Sequence, residues 1–229
     1  MDHEQSTRPA SVGGGRADAA ATTMVAALLL LVPRFASSGT EVVPGFWDSI
    51  VSGPFGALMG ACAWRARGVA ALVLSSCAIL PGLVAVALDE HLLDVLPSPP
   101  GGLAALWGLG FAGAAVGAWA VRGGRSGFAA AAWLLLLAGI GAGAAVGWGL
   151  LVEPPAFTPE WTALLLDLSP HGLVLECGGV DWIRSSSLYE AAGTDRIGPE
   201  LRSSWSGSVA GPVLVVVGCT GLTAARARR

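Results

Sequence analysis

Apolar residues in this chain gather into six long runs divided by polar stretches, at residues 17–35, 49–64, 68–88, 103–121, 128–152 and 207–225. The third, fourth and fifth each exceed the roughly 18 uncharged residues that mark a membrane-spanning helix. The fifth, 25 residues long, has length to spare for tilt. The first is the shortest at its apolar heart, 19–32, and spans a bilayer only if Arg34 snorkels from its end. Gly53-Pro54 interrupts the second, so a continuous helix and a broken, re-entrant one are both open there. The sixth contains Pro212 and runs directly into Ala225-Arg226-Ala227-Arg228-Arg229. Tryptophans stand near the ends of these runs, among them Trp47, Trp64, Trp107, Trp119 and Trp205, where interfacial anchoring accounts for them.

The longest polar region, residues 153–206, carries two helix signatures of its own. Thr158-Pro159-Glu160 supplies a cap, a first-turn proline and a first-turn acid for a helix over 161–168. Ser169-Pro170 opens a second, which Gly178-Gly179 should stop. Residues 161–180 are apolar enough to compete as a seventh span. Their six Leu and two Val favour insertion by about 0.3 to 0.6 kcal/mol each, whereas Asp167 and Glu176 oppose it by about 2.5 to 3.5 each. The carboxylates win. Two short helices lying on the outer membrane interface, or dipping into it, are expected.

Charge orients the runs. All 13 positive side chains are arginine, and they fall on alternate sides of the six segments. One side holds nine Arg against Asp2, Glu4 and Asp18, a balance of +6; the other holds four Arg against thirteen acids, a balance of -9. Basic residues stay on the cytoplasmic side, so both termini are expected inside. The resulting fold is all-α: a polytopic bundle of six transmembrane helices, with a structured extracytoplasmic loop between the fifth and sixth. Residues 1–16, with Gly13-Gly14-Gly15, read as a disordered cytoplasmic tail, 17–225 as the membrane domain and 226–229 as a basic cytoplasmic tail. A cleaved signal peptide fits poorly, because Pro33-Arg34-Phe35 puts bulk and charge where small residues are wanted. Composition agrees with a membrane: 53% hydrophobic and only 13% charged, against about 25% charged in soluble domains. The absence of lysine and the wealth of Ala, Gly, Arg and Val suggest a GC-rich bacterial source, hence the bacterial inner membrane. No basic stripe points to nucleic acid.

Candidate chemistry is sparse. The apolar runs contain no Asp, Glu, His or Lys at depth, which argues against ion-driven carriers, proton pumps and intramembrane proteases. Asp167, His171, Glu176, Cys177 and Asp181 crowd one outer stretch and Asp89, Glu90, His91 and Asp94 another. Neither has metal-ligand spacing, and nothing orients Cys177 and His171 as a catalytic pair. No catalytic, cofactor or metal residue is assigned, and no enzyme is expected. Cys62, Cys77 and Cys219 lie in apolar runs and Cys177 stands alone, so no disulfide is implied. Residues 178–196, with the only Tyr, Tyr189, and the basic Arg184 and Arg196, are specific enough to fold and to offer a binding surface.

Small residues recur at four-residue spacing in Gly56/Gly60, Gly113/Gly117, Gly139/Gly143/Gly147 and Gly207/Gly211. Such faces let helix backbones approach closely, within one chain first and between two copies as the alternative. The layout of six spans, inner termini and short outer helices before the last span resembles the membrane subunits of certain ATP-binding-cassette exporters. That resemblance is one of architecture, and it implies a permease energised by a separate ATPase. The inner loops at Arg65–Arg67 and 122–125 are short for docking an ATPase, so a non-enzymatic multi-pass membrane protein ranks first.

Overall fold

A computed structural model describes residues 21–31, 46–88, 96–143, 169–180 and 207–227, and these are helical apart from short turns. The helices are α1 (Ala21–Leu31), α2 (Phe46–Arg65), α3 (Gly68–Ser76), α4 (Leu80–Leu88), α5 (Pro99–Arg122), α6 (Gly127–Gly143), α7 (Pro170–Cys177) and α8 (Gly207–Ala227). Every one of the six apolar runs therefore carries helix. Three stretches, Gly68–Ala87, Pro99–Arg122 and Val209–Ala227, are long and apolar enough to cross a membrane, while Ala21–Leu31 and Gly127–Ala142 are shorter apolar helices.

The third run is one helix in two halves. A 3-10 turn, Cys77–Ile79, joins α3 to α4 immediately before Pro81. Proline has no N–H to give and its ring crowds the carbonyl four residues back, so the helix tightens there. In α2, by contrast, the helix passes through Pro54 unbroken. The break at Gly53-Pro54 is not what forms.

Instead α2 is the centre of the bundle, with 14 of its 20 residues buried. Its partner is α5, and the two meet backbone to backbone. A Cβ added to Gly56 would overlap the Gly110 carbonyl, and one on Gly60 the Ala114 carbonyl. Reciprocally, Gly113 sits on the Gly53 carbonyl and Gly117 on that of Ala57. Two of the four small-residue stripes thus face each other, an approach that only glycine permits. The third seats α8 on α5, where Gly211 meets the backbone of Ala104 and Ala105. Of the fourth, only Gly139 has described surroundings, and nothing lies within 4 Å of a Cβ added there.

Around this centre, α1 and α6 close one flank, packing Ala26, Ala130 and Ala131 against Phe55, Leu58 and Met59. At the other flank Leu222 and Ala225 of α8 join Ala114 and Ala118 of α5. The outward faces stay apolar: Val69 is 74% exposed, Trp133 64%, Val216 64% and Met24 62%.

Charge divides the bundle by its ends. Among the described residues the arginines are Arg65, Arg67, Arg122, Arg125 and Arg226, and the acids are Asp48 and Glu176. Hydrogen bonds draw the arginine-bearing ends together. Trp119 Nε1 donates to the Gly221 carbonyl at 3.1 Å, and Arg226 Nη2 donates to the Ala71 carbonyl at 2.7 Å. Asp48 and Glu176 lie at the opposite end, where α7 packs against α2, α5, α6 and α8.

Candidate functional site

The α7 end is where polar side chains are buried. Ser169 caps α7, its hydroxyl accepting the Gly172 amide at 3.4 Å, and Pro170 fills the first turn. The helix stops as the sequence anticipates, with Gly179 at φ 78°. It is seated against the bundle: Pro170, His171, Gly172, Leu173, Val174, Leu175 and Cys177 are all buried.

Two glycines of α5 make the seat. A Cβ on Gly101 would overlap the Cys177 carbonyl, and Gly102 meets Leu96 and the Gly178 backbone. The Gly178 carbonyl in turn accepts the Ser98 amide at 2.7 Å. Leu173, Val174 and Leu175 then join Leu96, Ala105, Leu106 and Ala210 in one core cluster. Burying these aliphatic side chains is worth about 1.5 to 3 kcal/mol each. That exceeds what the surface of a membrane could return to the same residues while leaving their other side in water.

His171 faces the first turn of α2. Its ring meets Phe46 edge-on with centroids 4.9 Å apart, and Phe46 meets Trp47 likewise at 5.3 Å. His171 Nδ1 and Trp47 Nε1 are both buried without a hydrogen-bond partner among the described residues. Burial makes the charged imidazole unfavourable and lowers the His171 pKa to about 4. Asp48, Ser49 and Ser52 are buried beside them on α2. The two hydroxyls are spent locally, Ser49 Oγ donating to the Phe46 carbonyl and Ser52 Oγ to the Asp48 carbonyl, each at 2.6 Å.

Cys177 occupies another face of α7, against Gly101, and is 2% exposed. Burial raises its thiol pKa; a backbone hydrogen bond with Gly211 opposes this and the charge of Glu176 adds to it. His171 and Cys177 stand six residues apart, about 240° around the helix, and do not form a pair. Asp167, Asp181, Asp89, Glu90, His91 and Asp94 lie outside the described residues, as do the helix expected over 161–168 and the loop over 181–206. Among the described residues no group of three or more His, Cys, Asp or Glu could hold a metal ion.

Sequence reasoning overlooked Phe46 and Asp48 and took Trp47 only as an interfacial anchor; all three precede the apolar run as drawn. An aromatic pair followed by an acid is a readable first turn, since a carboxylate there complements the helix dipole. Next to this cluster an apolar groove of about 410 Å³ runs between α2, α5 and α6, lined by Ser49, Pro54, Leu109, Val116, Leu137 and Pro170 among others.

The chain matches no family model, no curated protein and no solved structure.

Proposed function

We propose that this is a six-span integral protein of the bacterial inner membrane, with both termini and the arginine end in the cytoplasm. Its role on this reading is non-enzymatic and is exercised through the α7 end and the loop beyond it. One observation carries the proposal: side chains such as Val69, Trp133, Leu137 and Val216 project outward from α3, α6 and α8, while the described arginines and acids are confined to opposite ends. A water-soluble fold seldom leaves such large apolar faces open, and a bilayer solvates them while accepting charge only at its borders.

Membrane fractionation with a C-terminal reporter tests this. The chain should resist alkaline extraction, and a phosphatase fused after Arg229 should be inactive while a cytoplasmic fluorophore is bright. Release into the soluble fraction, or an active phosphatase, would refute it.

The groove favours a second reading, a permease-like subunit energised by a separate ATPase. It is open to one side, apolar and large enough for part of a hydrophobic substrate. Co-purification of an ATPase from native membranes would support that reading over the first.

A further inference from the structure

The arginine end holds a second cavity, smaller than the groove and with a larger polar share in its lining. About 80 Å³ lies between the start of α1, the end of α2 and the start of α6, lined by Thr22, Leu58, Cys62, Arg65, Ser126 and Phe128 among others. Arg65 terminates α2 as its last-turn cation, and no ion pair or hydrogen bond engages its guanidinium among the described residues. Both acids in the described residues are at the far end of the bundle. Nearby positive charge adds to the potential rather than cancelling it. Arg67 and Arg125, like Arg65, are exposed, and Arg122 lies 4.5 Å over the Trp119 ring with Nη1 buried and unbonded among the described residues.

The cavity combines three features suited to one ligand class. The Arg65 guanidinium, exposed at the mouth of the cavity, offers forked donors that match phosphate oxygens. Thr22 and Ser126 line the same space, the Ser126 hydroxyl also accepting the Ala129 amide at 3.1 Å. Leu58 and Phe128 continue its wall into the apolar cluster shared by α1, α2 and α6, so a ligand with a phosphate at one end and a hydrocarbon tail is complementary along its length. Basic pockets between membrane helices on the cytoplasmic side bind lipid headgroups in this way.

We propose that this cavity is a binding site for the phosphate of an anionic phospholipid, with Arg65 as its principal contact. The proposal rests on the membrane-spanning reading above. Phosphate is the shared chemistry of a lipid headgroup and a free anion, and the apolar wall commits the site to the lipid.

Native mass spectrometry of the full chain, released from nonionic detergent micelles, tests it with phosphatidylglycerol, phosphatidylcholine or inorganic phosphate as probe. Wild type should retain one phosphatidylglycerol and discriminate against phosphatidylcholine. Arg65→Gln should weaken that retention about ten-fold and Arg65→Lys much less, since lysine keeps the charge but not the fork. Arg67→Gln, exposed and outside the cavity, should change it less than about two-fold. Thermal melts of each variant separate lost binding from lost folding. Equal losses in Arg65→Gln and Arg67→Gln would mean diffuse surface attraction and overturn the site. Retained inorganic phosphate without preference for phosphatidylglycerol would overturn the lipid assignment. A chain that stays soluble without detergent would sink the membrane reading itself, whereas a membrane-bound chain without lipid preference would sink this proposal alone.

Discussion

The ring of Phe46 stands edge-on to the ring of His171, centroids 4.9 Å apart and planes at 72°. That contact joins the first turn of α2, a central helix of the bundle, to α7, a helix of eight residues. It makes the position of α7 depend on the protonation of one imidazole. Neutral His171 suits its surroundings; charged His171 would be an ion buried against aromatic rings.

The pH dependence follows with a definite sign. The His171 pKa in the folded chain is about 4, below the ordinary 6.5. Above pH 6.5 neither state holds the proton and stability is unaffected. As pH falls from 6.5 toward 4, the unfolded or undocked state takes up the proton first, and up to about 3 kcal/mol is lost. Melting of the detergent-solubilised chain should therefore fall over this window, and His171→Leu should remove that part of the fall. Asp48 on α2 and Glu176 on α7 are the other carboxyl groups described at this end, and their contribution persists in the variant. An unchanged pH profile in His171→Leu would show that His171 does not hold α7 in place.

Thiol chemistry reports the seat of α7 directly. With Cys62, Cys77 and Cys219 replaced by serine, Cys177 should react slowly with a water-soluble maleimide in the folded protein and rapidly after denaturation, because it is 2% exposed. An open outer loop would have given fast labelling. Gly101→Val should expose the thiol, since its side chain would occupy the space of the Cys177 carbonyl. Rapid labelling of the wild type would contradict the buried seat.

The glycines of the α2–α5 contact should be intolerant of any side chain. Gly60→Ala and Gly113→Ala each push a methyl into the opposite helix backbone, at a cost of about 1 to 3 kcal/mol or more if the helices separate. Gly139→Ala meets open space and should be neutral or slightly stabilising, as alanine favours helix. Denaturant titrations in mixed micelles should rank the three variants in this way. Similar losses at Gly139 would mean that its face is also packed, against a second copy.

Hydropathy located helices in all six runs because apolar length is a local property. Local rules likewise set the limits of α7, through Ser169, Pro170 and Gly179. What they could not supply was where that helix goes. The energies weighed in its sequence compared water with lipid, whereas the site taken is a protein interior made by Gly101 and Gly102, some seventy residues away. The centrality of α2 was not legible for a related reason. Gly53-Pro54 left a continuous and a broken helix both open there, yet small side chains are what admit α5 to its surface. The cluster of half-buried Phe46 and Trp47 with buried Asp48 fell outside the run because the acid in the first turn ends the apolar window.

The arginine end offers a last, separable test in how Arg226 holds α8 to α3. Its Nη2 donates to the Ala71 carbonyl at 2.7 Å and to Ser75 Oγ at 2.8 Å, while Ser75 Oγ itself donates to the same carbonyl at 2.8 Å. Arg226→Ala removes two charge-assisted bonds, and bonds to charged groups contribute about 1.5 to 3 kcal/mol. Ser75→Ala removes one acceptor and leaves the Ala71 carbonyl still bonded to Arg226, so it should cost about 1 kcal/mol. Because both side chains share one carbonyl, the double variant should lose less than the two single losses added together, by about 1 kcal/mol. A double-mutant cycle by denaturant titration reads this coupling. Strict additivity would mean that Arg226 acts on α3 only as a diffuse charge, and then Arg226→Lys should match the wild type rather than fall short of it.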